Sequence, residues 1–107
     1  MGIYNPLHPG KIIKETAIKE GGLTITSLAT QTGLDRKTIS RLVNGRSSVT
    51  VDVAFRLSKV LGTTPNLWLS MQQAYDIWQL QNEPRMKKIL AKLKPLPRDK
   101  NGDLVYN

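Results

Sequence analysis

Arg36, Lys37, Ser40 and Arg41 sit within six residues of one another, on the polar side of a short helical pattern. Arginine is the commonest reader of guanine, through paired hydrogen bonds to O6 and N7. The lysine and the serine add donors at the same surface. Around them, Thr26, Ser27, Thr38, Asn44 and Arg46 are of the types that hold phosphates. Between Thr24 and Arg46 there are four basic residues and one acid, Asp35. These groups suit a polyanion with readable base edges better than a reaction centre. The competing reading of any basic helix face is plain solvation.

Such side chains need a scaffold that presents them. The block Thr24 to Arg46 reads as two helices meeting at a tight turn that holds Gly33. Ala29 is small where the second helix must cross the first. Leu28, Leu34, Ile39 and Leu42 tie the pair to a core. That is helix-turn-helix spacing, in which the second helix enters the major groove of DNA. Thr24 and Asp35 are the expected N-caps, and Asn44-Gly45 is a strong stop.

The rest of the chain reads as helices supporting this pair. Pro9 opens a first helix with Ile12, Ile13, Ala17 and Ile18 inward, ended by Gly21-Gly22. Thr50 caps a fourth, with Ala54, Leu57 and Leu61 at core spacing and Gly62 at its end. Thr64-Pro65 opens a fifth, running from Leu67 to Leu80. Nothing alternates convincingly enough for a sheet. The expectation is an all-α, five-helix domain over residues 1–82. A basic tail follows over 83–107, able to form an amphipathic helix from Met86 to Leu93 and loose from Arg98 onward.

The fifth helix is rich in large apolar groups. Trp68, Leu69, Met71, Tyr75 and Trp78 either close the core of one chain or form a homodimer interface. The second reading has a functional motive, because paired helix-turn-helix domains gain affinity from two half-sites about one turn of DNA apart.

Composition narrows the alternatives. Sixteen Lys and Arg against eight Asp and Glu leave a net charge of +8 on 107 residues. That excess favours polyanionic partners. Half of it lies beyond residue 82, where seven bases meet three acids. With no cysteine, disulfides, thiolate metal sites and thiol nucleophiles are excluded. His8 is the only histidine and stands apart from any acidic cluster. It is a poor metal or catalytic residue, and capping or exposure suits it better. No phosphate loop or nucleophile–base pair is present, so neither an enzyme nor a cofactor or metal is expected. No apolar run is long enough to span a membrane, and an intracellular, cytoplasmic protein is expected.

Several segments resemble one family. His8-Pro9-Gly10-Lys11-Ile12-Ile13 is similar to the HPGEIL opening of the HigA/VapI antitoxins, which belong to the Cro/cI-type (XRE) helix-turn-helix proteins. The resemblance continues through Ile39 to Arg46 and through Val49 to Ser58, then Leu61 to Leu69 and Gln72 to Trp78. It covers about residues 7–81, and Lys11 stands where the family often has Glu. The resemblance implies a lambda-repressor-like five-helix fold, homodimeric through the fifth helix. It implies binding of double-stranded DNA at a palindromic operator ahead of the chain's own operon, in a bacterial cytoplasm. It also implies neutralisation of a HigB toxin, a RelE-like mRNA endonuclease. Glu15, Glu20, Asp52 and Asp76 are the acids that could face a basic toxin. The alternatives are a stand-alone regulator without a toxin and a non-specific nucleic-acid-binding protein driven by the tail.

Overall fold

The computed structural model describes residues 5–105. Residues 1–4 and 106–107, the outer ends of the two expected divisions, lie outside the described residues.

Each helix starts where a side chain takes over an orphan amide. His8 Nδ1 accepts from the Gly10 amide at 2.9 Å, and α1 runs Pro9–Ile13. It continues without a break as a π-helical stretch, Lys14–Glu20. Within it the Thr16 hydroxyl donates back to the Ile12 carbonyl at 2.7 Å. The single regular first helix expected from the sequence is widened in its second half.

Thr24 and Ser27 form a reciprocal capping box ahead of α2, Ile25–Thr32. Asp35 caps α3, Arg36–Val43. Thr50 caps α4, Val51–Leu61, and Thr64 caps α5, Pro65–Gln81. α6 covers Pro84–Lys92. Among the described residues the helix count is thus six rather than the expected five. Pro84 fits a first helical turn, and Met86, Ile89 and Leu90 recur at helical spacing.

Ile13, Leu28, Ala29, Ile39, Leu42, Val43, Val49, Ala54, Leu57 and Trp68 form one buried core. All the first five helices except the π-helical stretch contribute to it. α6 packs chiefly onto α5 and buries no residue of its own. The molecule is accordingly elongated, 57 × 27 × 27 Å.

The end of the chain is more ordered than its composition suggests. Arg98 and Leu104 form an antiparallel bridge. The Val105 amide donates to the Pro97 carbonyl at 2.8 Å, and the Asp99 amide to the Asp103 carbonyl at 2.9 Å. Asp99 Oδ1 accepts from the Asn101 and Asp103 amides, which closes the turn. The expectation of a loose segment from Arg98 is corrected up to Val105. No strand occurs among the described residues.

Candidate nucleic-acid interface

Gly33 joins α2 to α3 with φ at 75°, in the left-handed region that glycine enters without strain. The Leu34 amide then donates to the Ala29 carbonyl at 3.1 Å. Arg56 braces the turn from α4. Its Nη1 donates to the Thr32 carbonyl at 2.9 Å while its Nε pairs with Asp52. Sequence reasoning gave Arg56 no role; its four-residue spacing from Asp52 was the available signal.

α3 buries Ile39, Leu42 and Val43 and turns Arg36, Lys37 and Arg41 to solvent, with Ser40 half-buried beside them. The core contacts of one side fix where the other side points. Asp35 Oδ1 accepts from the Thr38 amide at 2.6 Å. Hydrogen bonds from the Thr38 side chain and amide hold the Asp35 carboxyl below the usual carboxylate range. Its charge therefore stays at the positive end of α3.

Past the end of α3, Arg41 and Arg46 are brought together, Nη2 of Arg41 donating to the Arg46 carbonyl at 3.2 Å. Asn44 is engaged locally: its Nδ2 donates to the Ser40 carbonyl at 2.8 Å, and its Oδ1 accepts from Lys14 Nζ at 3.3 Å. Thr26 is exposed on the first turn of α2, and Thr38 is half-buried. Ser27 is placed differently from the expectation of a phosphate donor. Its hydroxyl donates to the Thr24 carbonyl at 3.0 Å, inside the capping box.

A helix-turn-helix family model matches residues 14–68. The antitoxin HigA-1 of Vibrio cholerae is 36% identical over 91 residues, covering 85% of this chain and 84% of that protein. This chain belongs to the HigA/VapI group of XRE helix-turn-helix proteins. An uncharacterised HTH-type transcriptional regulator of Haemophilus influenzae is 37% identical over 90 residues, covering 84% of each. Among solved structures, antitoxin GraA in complex with its operator superposes with a TM-score of 0.79 at 32% identity. That match covers 91% of this chain and 97% of GraA. The family is one of DNA-binding regulators and antitoxins rather than an enzyme class.

In this HigA-type chain the aromatic stripe divides. Trp68, expected at a partner's surface, is instead 4% exposed within the core of the single chain. Its indole N–H donates to Thr63 Oγ1 at 2.7 Å, so both its body and its polar tip are satisfied internally. Leu69, Met71, Tyr75 and Trp78 are half-buried. Trp78 Nε1 is buried without an acceptor among the described residues. Leu67, Ile77 and Leu80 were not assigned to an interface from the sequence, yet they are the exposed large apolar groups of α5. Gln72 was missed as well. Its Oε1 accepts from the Val49 amide at 2.9 Å and its Nε2 donates to Asp76, tying α5 to the loop ahead of α4. No basic residue occurs between Lys59 and Arg85, a span that contains all of α5.

No group of three metal-binding side chains occurs among the described residues. None of the described helices is long and apolar enough to cross a membrane.

Proposed function

We propose that two copies of this chain bind a palindromic operator ahead of their own operon and repress it. In this reading α3 of each copy enters a major groove, with Arg36, Lys37, Ser40 and Arg41 reaching base edges. Thr26, Thr38, Asn44 and Arg46 hold the backbone, with Ser27 at their margin. The observation that carries the reading is the outward face of α3: three exposed cations beside Ser40, fixed by a wholly buried opposite face. GraA, similar to this chain over nearly its whole length, is described in complex with its operator.

Pairing is assigned to α5, through Leu69, Met71, Tyr75 and Trp78 together with Ile77 and Leu80. Two bodies of charge +8 repel each other, and α5 is the long surface without a cation to add to that repulsion. Residues 1–82 then serve as the DNA-binding and pairing domain, and residues 83–107 as a basic extension. A HigB-type toxin is the proposed second partner, supported by the antitoxin relatives. Co-purification with a small basic neighbour tests that part separately from DNA binding.

The test of the main reading is fluorescence anisotropy on a duplex from the gene's own upstream region and a scrambled control, at physiological salt. A preference of about 10³-fold or more is expected, the range of specific binders. Equal binding to both overturns it in favour of electrostatic binding by the extension. Truncation after residue 82 would then abolish most of the affinity.

A further inference from the structure

His8 has no part in the interface above, yet the chain buries its only histidine to 3% exposure. The ring touches three elements. Its Nδ1 accepts from the Gly10 amide at 2.9 Å and so starts α1. It meets Tyr75 of α5 edge to face, with centroids 5.0 Å apart and planes at 75°. It also lies against the turn that closes α3. A Cβ added to Gly45 would stand 3.7 Å from His8 Cβ and Cγ. The contacts around it are equally close. A Cβ on Gly10 would overlap the Leu42 carbonyl oxygen of α3. Lys14 reaches Asn44 at the end of α3.

We infer that His8 is a positioning residue: it registers the recognition helix α3 against the pairing helix α5. The inference rests on the DNA-binding reading and deepens it. A paired protein must present two α3 helices about 34–36 Å apart, at a fixed angle. Any play between α3 and α5 within one copy misaims the other copy's contacts as well. Base-edge hydrogen bonds depend steeply on direction, whereas attraction to phosphates follows the number of charges. Loosening the register therefore removes discrimination and leaves non-specific affinity in place.

His8→Asn separates this role from helix capping. Asn keeps an acceptor for the Gly10 amide. Its short side chain cannot fill the space between Gly45 and Tyr75. The full-length wild type and variant are compared by anisotropy on the upstream and scrambled duplexes. Helix content is followed by circular dichroism and pairing by sedimentation. The expected result is about a tenfold loss on the upstream duplex, within the range of couplings transmitted through packed side chains. Scrambled-duplex affinity, helix content and pairing stay at wild-type values. An unchanged preference, or equal losses on both duplexes, overturns the inference. If His8→Asn does not fold, Tyr75→Leu and Tyr75→Phe are compared at concentrations where sedimentation shows both fully paired. Tyr75→Leu removes the ring facing His8 and should then lose the preference, while Tyr75→Phe retains the ring and should keep it. Identical behaviour of the two overturns the inference. A wild type that binds both duplexes equally overturns the DNA-recognition reading, and this inference with it. A discriminating wild type beside an equally discriminating His8→Asn overturns the inference alone.

Discussion

Arg41 and Arg46 hold each other across the end of α3: Nη2 of Arg41 donates to the Arg46 carbonyl at 3.2 Å, and the Arg46 amide donates to the Arg41 carbonyl at 2.8 Å. One donor of the guanidinium orients the side chain, and the others stay free for a ligand. Arg41→Ala should cost about 1–3 kcal/mol on the upstream duplex and much less on scrambled DNA. Equal losses on both, by anisotropy, would make Arg41 a phosphate contact.

At Gly10, α1 passes close against the recognition helix. A methyl group there meets the Leu42 carbonyl oxygen, a backbone atom with no rotamer to escape into. Gly10→Ala should destabilise the fold by about 3 kcal/mol, the upper part of the usual overpacking range. Urea denaturation measures it, and a midpoint equal to that of the wild type would show that the two helices separate freely.

The two tryptophans should fail in different ways. Trp68→Ala empties a core position and should cost about 3–5 kcal/mol of folding stability. Trp78→Ala should weaken pairing, read by sedimentation. A wild-type association constant in the Trp78→Ala chain would return that side chain to the single-chain core.

Burial holds the His8 ring below its ordinary titration, opposed by the nearby Ser47 backbone and the Asp76 charge and aided by the Lys11 charge. The native state thus prefers the neutral ring. In the unfolded chain the ring titrates near about 6.5, so above that pH its contribution is fully present. It is lost as the pH falls through the lower folded value. Denaturant midpoints should decline on acidification in the wild type, and the decline should be shallower in His8→Asn. Parallel curves would mean that protonation of His8 is not coupled to unfolding.

The caps and the core were legible in the sequence because they rest on local chemistry. Thr24, Asp35, Thr50 and Thr64 each satisfy the amide three residues ahead, and Gly33 and Gly62 end helices in the left-handed region. The outward face of α3 followed from its apolar period. Contacts between distant segments were not legible. Nothing near Arg56 in sequence announces Thr32, and nothing near Gln72 announces Val49. An aromatic stripe at helical spacing suits either a core or a partner's surface, so the place of Trp68 was settled only by its packing and by its indole bond to Thr63 just ahead of the helix. The hairpin after Pro97 depends on Asp99 accepting two amides, a turn signal that the surrounding lysines and prolines obscured.

The stretch without cations from Val60 to Pro84 gives ionic strength two opposite effects. Salt screens the attraction between the chain and phosphates, so DNA is released as salt rises. The same ions screen the mutual repulsion of two cationic bodies, while the apolar contacts assigned to α5 have no Coulombic attraction to lose. The protein should therefore leave DNA as an intact pair, and concentrated salt should tighten that pair rather than dissolve it.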